Sequence, residues 1–186
     1  MLKLVRFLFV PIALLLVSCA GFPKPASGSD TLAIGSFIVD FPDGFYGGSP
    51  RTIDWPIKLE IMNSSTSEAF KVITKPGGYF YFVTNGRDTF VLKSCSYNLE
   101  TGSGSYSGGA NLSYKITVDP GCVQYLGHFK VTNSDMHQVT DENSRRTWTT
   151  KLSWSQENKK SEAKQYLQDN AQDTPWLTYE IHPAGD

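Results

Sequence analysis

The stretch YFYFVTNGRDTFVLKSCSY, residues 79–97, holds two runs of aromatic and branched side chains on either side of a polar turn. Such runs are typical of β-strands. The dipeptide Asn85-Gly86 tolerates the positive φ that a tight turn requires. We therefore predict a β-hairpin in which YFYFVT and TFVLKSCSY are the two strands.

Similar short runs recur along the chain, separated by turns rich in glycine, proline, asparagine and serine. They cover residues 31–41, 57–62, 69–74, 112–118 and 122–131. In the later run RTWTTKLSW, residues 146–154, polar and apolar side chains alternate, which predicts a half-buried strand. One face of that strand carries Trp148, Thr150, Leu152 and Trp154. About eight or nine strands favour a mainly β fold, an antiparallel β-sandwich.

One helix is predicted near the C-terminus, in ENKKSEAKQYLQDNAQ, residues 157–172. The apolar residues that follow helical spacing are Ala163, Tyr166, Leu167 and Ala171. This narrow stripe predicts a helix that lies on the sandwich with its outer face in solvent. The chain beyond the helix is predicted to return as a last strand or an extended tail. Residues 31–186 are thus predicted to form a single domain.

The N-terminus carries the pattern of a secretory signal peptide. Lys3 and Arg6 precede an apolar run at residues 7–17, which only Pro11 interrupts. Eleven residues span roughly 16 Å as a helix, about half the hydrocarbon thickness of a bilayer. The run therefore fits a signal peptide better than a membrane span.

The tetrapeptide Leu16-Val17-Ser18-Cys19 resembles the lipobox of bacterial lipoproteins. The resemblance implies that the signal peptide, residues 1–18, is removed and that the Cys19 thiol receives a diacylglyceryl group. It also implies that the new amine is acylated with a fatty acid such as palmitate. An ordinary signal peptide with an incidental cysteine stays the alternative. Several acyl chains would hold the protein durably at a membrane. The membrane is therefore an expected partner, bound through the N-terminal lipid.

The segment after the lipobox, residues 19–30, contains two prolines and a Gly-Ser pair, and we predict a flexible tether there. The expected location is the cell membrane or the outer membrane, with the folded domain in the periplasm or outside the cell. Ala20 follows the lipidated position. By resemblance to the sorting rule of enteric Gram-negative bacteria, an alanine there favours the outer membrane.

Part of the chain resembles the transthyretin-like (prealbumin-like) domains of bacterial surface and periplasmic proteins. The resemblance lies in IKLEIMNSSTSEAFKVIT (57–74), GGYFYFV (77–83) and DPGCVQYLGHFKV (119–131). It implies a β-sandwich and transfers no catalytic residue to this chain.

Two cysteines remain once Cys19 is assigned to lipid. An exported protein meets an oxidising compartment, so we predict a disulfide between Cys95 and Cys122, with two free thiols as the alternative. The predicted strands place both cysteines on faces that also carry polar residues. In the predicted strand at residues 122–131, the core face would carry Val123, Tyr125, Phe129 and Val131. Such a disulfide would stabilise the fold by roughly 3–4 kcal/mol.

No set of residues in the sequence assembles into catalytic chemistry. His128, His137 and His182 are isolated and lack metal-ligand spacing. The glycine-rich segment 98–111 matches neither a phosphate-binding loop nor a nucleophile elbow. Loss of residues 1–18 leaves 15 basic against 18 acidic side chains, a balance that argues against nucleic acid as a partner. We expect a protein that is not an enzyme and that carries no metal and no cofactor.

Aromatic residues in turn-rich segments are the remaining candidates for binding. Phe45 and Tyr46 lie in a predicted loop at residues 42–50, and Tyr106 lies in another at residues 99–111. Such side chains can insert into a protein groove or stack on sugars, and the alternative is that they fold back over the core. The sequence therefore predicts a non-catalytic binding or structural module with an envelope protein as partner. A module for glycan or peptidoglycan is the alternative.

Overall fold

The computed structural model describes residues 22–42, 49–101, 104–140, 142 and 146–183. In these ranges the elements, in chain order, are β1 (Asp30–Phe41), β2 (Arg51–Ile53), β3 (Ile57–Asn63), β4 (Ala69–Ile73), β5 (Tyr79–Asn85), β6 (Asp88–Thr101), β7 (Gly104–Val118), β8 (Val123–Thr140), β9 (Arg146–Glu157), α1 (Lys160–Asn170), a 3-10 helix (Pro175–Thr178) and β10 (Ile181–Pro183). None of the helices in these ranges is long and apolar enough to span a membrane.

The strands form two sheets, and the predicted β-sandwich with one C-terminal helix is confirmed. Sheet A contains β1, β2, β5, β8, β9 and β10, and sheet B has the order β4-β3-β6-β7. Most pairings are antiparallel, but β8 pairs in parallel with both β1 and β10. The sequence patterns do not indicate these parallel pairs. The parallel pairing places β1 and β8 side by side at the centre of sheet A.

The predicted hairpin at residues 79–97 is wrong. β5 pairs with β1, whereas β6 pairs with β3 and β7, so the turn at Asn85-Gly86 carries the chain from sheet A to sheet B. The two aromatic runs meet through side chains instead of backbone hydrogen bonds. Phe82 and Phe90 lie edge to face with ring centroids 5.1 Å apart. A short turn has the same local chemistry whether it joins neighbouring strands or opposite sheets.

Apolar side chains form two separate clusters, one on each face of sheet A. The inner cluster lies between the sheets and includes Phe37 and Val39 from β1. The outer cluster lies beneath α1 and includes Leu32 and Ile34 from the same strand. Because side chains alternate along a strand, β1 supplies both clusters and is buried on both faces.

A β-bulge in β8 changes which side chains face the interior. The β1–β8 register shifts between Ile34 and Gly35. Gly127 of β8 has a φ of 119°, a backbone angle that residues with a Cβ rarely adopt. Val123 and Tyr125 consequently belong to the outer cluster, whereas Phe129 and Val131 belong to the inner one. The prediction of one core face for these four residues is wrong, since the bulge moves the later pair to the opposite face.

The C-terminal segment folds as the apolar stripe predicts. Ala163 and Leu167 of α1 are buried, Tyr166 is half-buried, and Ala171 is buried immediately after the helix. Most other side chains of α1 are exposed. The chain then passes through the 3-10 helix and returns as β10, so the predicted last strand is also confirmed.

The N-terminal segment is attached to the domain, and the prediction of a flexible tether is wrong for residues 22–30. The Phe22 ring is buried and stacks on Tyr81 with centroids 4.2 Å apart. The indole Nε1 of Trp176 donates a hydrogen bond to the Pro23 carbonyl (2.5 Å). Proline and glycine content predicts flexibility, but a single buried aromatic ring is enough to attach so short a segment. Residues 1–21, including Cys19, lie outside the described ranges.

Candidate binding surface

The long ribbon of β8 and β9 forms one edge of sheet A. The two strands pair from His128–Glu157 to Thr140–Arg146, and among the described strands β9 pairs with β8 alone. Every side chain from Lys151 to Glu157 is exposed. The strand predicted at residues 146–154 is confirmed as β9. The prediction of a half-buried strand underestimates the exposure of its described side chains, since residues 151–154 are all exposed. No residue of β9 belongs to either buried apolar cluster among the described residues, so little packs over its side chains.

Two large apolar side chains of β9 point towards the gap between the sheets. In the ladder with β8, Trp154 lies opposite Val131 and Leu152 lies opposite Asn133. Directly opposed residues of an antiparallel pair share a face, and Val131 belongs to the inner cluster. Trp154 and Leu152 nevertheless each expose 43% of their surface. They extend the apolar interior of the sandwich out to solvent.

Strand β7 forms the other side of this opening. The Tyr114 ring lies edge-on to Trp154 at 5.6 Å and edge-on to Phe129 at 5.1 Å, so Tyr114 links the exposed indole to the core. Leu112 of β7 is partly buried against the same core. We refer to Leu112, Tyr114, Leu152 and Trp154 together as the β7–β9 surface.

The β7–β9 surface carries little charge. Lys151 is the one charged residue in the sequence between Thr147 and Gln156, and its ammonium pairs with Asp135 at 2.6 Å. Among the described groups, the side-chain oxygen of Asn133 is buried opposite Leu152 and accepts no hydrogen bond. Exposed strand edges are ordinarily protected by several charges or by proline. The other charged residues of β9, Arg146 and Glu157, lie at its two ends, and the strand contains no proline, so the middle of its free edge is open to another strand.

A cavity of about 270 Å³ adjoins the β7–β9 surface at the end of β9. It is lined by Tyr114, Tyr125, Leu126, Gly127, Gln156, Glu157, Asn158 and Pro183. The backbone N–H of Lys159 donates to the Tyr125 hydroxyl at 2.8 Å, and burial raises the pKa of Tyr125 to about 12. The phenol is therefore neutral at physiological pH. Two tyrosines beside amide and carboxylate groups give this cavity the chemistry of a small polar-aromatic site.

A buried serine–histidine pair on the outer face of sheet A has a structural role. Ser36 Oγ and His128 Nδ1 are 2.7 Å apart, and the two residues are 4% and 6% exposed. Burial lowers the pKa of His128, which favours the neutral ring. A hydroxyl this deeply buried is out of reach of a substrate. The pair satisfies two polar groups between the central strands of sheet A.

The predicted disulfide is wrong, because Cys95 and Cys122 are both buried free thiols. Cys95 lies in sheet B opposite Leu59, whereas Cys122 precedes β8 of sheet A, where its thiol contacts the Asp119 carbonyl at 3.4 Å. The β6–β7 register shifts between Leu92 and Ser94, so Cys95 faces the inner cluster instead of sharing a face with Lys93. Burial raises the pKa of both thiols, that of Cys95 to about 11.

Of the three aromatic residues predicted to bind a partner, only Tyr106 lies within the described residues. Phe45, Tyr46 and the lipidation candidate Cys19 lie outside the described residues. Tyr106 lies in β7 opposite Leu99, so the segment predicted as a loop at residues 99–111 belongs largely to a strand pair. The sequence does contain a signal for the surface that the structure reveals, since Leu152 and Trp154 fall on one face of the alternating run at residues 146–154. Nothing in that pattern shows that the strand lies at an edge.

Among the described residues, no three histidine, cysteine, aspartate or glutamate side chains are grouped closely enough to hold a metal ion. Comparison of the chain with protein-family models, with curated proteins and with solved structures gave no match. The functional argument therefore depends on the geometry of this chain.

Proposed function

We propose that this protein is a lipid-anchored lipoprotein of the bacterial envelope, without catalytic activity, whose β-sandwich binds another envelope protein through the β7–β9 surface. The lipobox-like sequence at residues 16–19 supports the anchor, and the outer membrane is the favoured location in a Gram-negative cell. The exposed pair Leu152 and Trp154 on an open strand edge supports the binding role.

The β7–β9 surface has the two features that a protein partner uses. Tryptophan is enriched among residues that dominate binding energy, and Trp154 is already positioned by its contact with Tyr114. The free edge of β9 offers backbone N–H and C=O groups to an added strand, and such hydrogen bonds recur in strand-addition complexes. A partner segment would therefore combine backbone pairing with burial of the exposed indole.

Glycan binding is the second candidate, and the cavity beside Tyr114 and Tyr125 favours it. Aromatic faces can stack on sugar rings. The carboxylate of Glu157 can accept hydrogen bonds from sugar hydroxyls, and the amide of Asn158 can both donate and accept them. Protein binding is the better supported function, because Leu152 adds an aliphatic side chain that has no role in sugar recognition. The charge-poor edge of β9 is also better suited to another polypeptide.

The test is capture of the crosslinked partner from intact envelopes, with quantification of the protein recovered with each variant. The double variant Leu152→Ser/Trp154→Ser should reduce recovery by about tenfold or more, since loss of a central tryptophan costs about 2 kcal/mol of binding. The matched control is Ile73→Ser, which removes an apolar side chain that is 49% exposed on β4, the edge of the other sheet. Recovery with this control should stay at the unmodified level.

Equal recovery with the double variant and the unmodified chain would contradict a binding role for the β7–β9 surface. Binding to purified peptidoglycan sacculi distinguishes the second candidate. If Asn158→Ala lowers sacculus binding while the double variant does not change partner capture, the glycan function replaces the protein-binding one. Thermal denaturation of each variant verifies that the fold is intact.

A further inference from the structure

We infer that the N-terminal segment holds the domain close to the lipid bilayer in one orientation, with the surface around residues 169–174 facing the lipid headgroups. The inference rests on the lipid anchor at Cys19 in the proposed function. It goes further by naming the face of the domain that meets the membrane.

Phe22 is the point at which the chain becomes part of the domain. Its side chain is 7% exposed and belongs to the outer cluster beneath α1. The ring stacks on Tyr81 at 4.2 Å and lies edge-on to Tyr166 at 6.0 Å. Ordinary aromatic contacts of this kind, together with burial of the ring, oppose release of the segment.

Polar contacts attach the next residues of the segment. Trp176 donates its indole N–H to the Pro23 carbonyl, and Trp176 itself is 1% exposed. The carboxylate of Asp30 accepts hydrogen bonds from the backbone N–H of Ala26 (2.6 Å) and of Ser27 (3.1 Å). The Ser27 hydroxyl also donates to Asp30 at 2.7 Å. The segment therefore follows a defined path from Phe22 to the start of β1.

The free length of chain between the lipid and the domain is short. Only Ala20 and Gly21 separate Cys19 from Phe22. Three residue steps extend at most about 11 Å, whereas the eleven steps from Cys19 to Asp30 would extend about 40 Å if that whole segment were free. A domain on so short a connection cannot turn its opposite side to the bilayer.

The surface next to Phe22 carries mostly exposed polar side chains around a shallow cavity of about 260 Å³. Its walls are Phe22, Lys24, Asp169, Asn170, Ala171, Gln172, Asp173 and Thr174. The far end of the β8–β9 ribbon lies well away from this surface. β8 continues for eight residues past Thr132, the partner of Asp40 near the end of β1, which adds roughly 26 Å. The ribbon end at Thr140 is thus a natural distal reference.

The experiment places a photoreactive p-benzoylphenylalanine at Gln172 or at Thr140 in the full chain, expressed in a bacterium that lipidates it. Irradiation of the isolated membranes is followed by quantification of protein crosslinked to phospholipid. Palmitate labelling is measured on the same samples, and Cys19→Ala provides the unlipidated control. In a further variant, twelve Gly/Ser residues are inserted between Gly21 and Phe22, which lengthens the connection and leaves Phe22 in place.

The expected result is lipid crosslinking at Gln172 about tenfold above that at Thr140, with loss of the difference in the insertion variant, because effective concentration falls steeply with linker length. Equal crosslinking at both positions of palmitate-labelled protein overturns the inference and leaves the lipid anchor standing. An unchanged Gln172 signal after the insertion also overturns it. Absence of palmitate in the unmodified chain overturns the anchor and the inference together.

Discussion

At the scale of single residues, the two cysteines of the domain behave as small apolar side chains. Cys95 is 3% exposed in β6 of sheet B, and Cys122 is 8% exposed just before β8 of sheet A. Burial raises the pKa of Cys95 to about 11, so about one thousandth of this thiol is ionised at pH 8. Since the thiolate is the form that oxidises, burial and the raised pKa of both thiols oppose formation of a disulfide.

This state of the thiols can be measured by alkylation. Native protein at pH 8 should react very slowly with a thiol reagent, with Cys122 ahead of Cys95 because Cys122 is the more exposed. After denaturation without any reductant, both Cys95 and Cys122 should become labelled, because neither is paired. Two cysteines that react only after reduction would show that the exported protein carries the disulfide after all.

At the scale of elements, the glycine-rich segment is part of a strand because its glycines permit close packing. A Cβ built on Gly108 would lie 2.6 Å from the Tyr97 ring, and one on Gly109 would lie 2.5 Å from the Cys95 carbonyl oxygen. Both glycines lie in β7 opposite β6. Glycine and serine ordinarily mark loops, yet here the missing side chains allow an aromatic ring to cover the strand.

The substitution Gly109→Ala tests this packing. The added methyl group meets a backbone oxygen that cannot rotate away, so we expect a loss of about 1–3 kcal/mol in the free energy of unfolding. The control is Gly28→Ala, whose added Cβ has no atom within 4 Å and should change stability by less than about 0.5 kcal/mol. Urea denaturation of both variants gives the comparison. A Gly109→Ala protein as stable as the control would mean that the segment is loose.

The elements also show what sequence could and could not predict. The helix stripe at Ala163 and Leu167 is local, so its period predicts both the helix and its buried face. Strand existence is likewise local, and the run at residues 146–154 is indeed β9. Pairing partners are not local, so the turn at Asn85-Gly86 gave no sign that it joins two sheets. The face of a strand also depends on bulges such as Gly127, which alternation in the sequence does not reveal.

The candidate surface was predictable only in part, for the same reason. Alternation in β9 places Leu152 and Trp154 on one face, and that much is a property of the sequence. Whether the face is covered depends on which elements pack against it across the sandwich, and alternation in the sequence does not show that. For the N-terminal segment, the sequence predicts too little packing against the domain. Its composition indicates a tether, whereas Phe22 finds a ring partner in Tyr81, 59 positions later in the chain.

At the scale of the whole molecule, β1 and β8 join the sandwich and the helix layer into one structure. Leu32 and Ile34 contact the helix layer while Phe37 and Val39, on the same strand, fill the space between the sheets. A strand buried on both faces is the usual condition of parallel strands, and β1 and β8 are parallel. Loss of the helix layer would expose one face of both central strands.

We therefore expect the helix layer and the sandwich to unfold together. Leu167→Ala removes a side chain that is 2% exposed and should cost about 2–5 kcal/mol, which lowers the thermal midpoint by about 5–15 °C for a chain of this size. The neighbouring control Gln168→Ala is on the exposed side of α1 and should change the midpoint little. Because the two clusters share β1 and β8, far-ultraviolet and aromatic circular dichroism should follow a single coincident transition in Leu167→Ala. A first transition that removes only the helical signal would show that α1 is an independent layer, and that the central strands do not couple it to the sandwich.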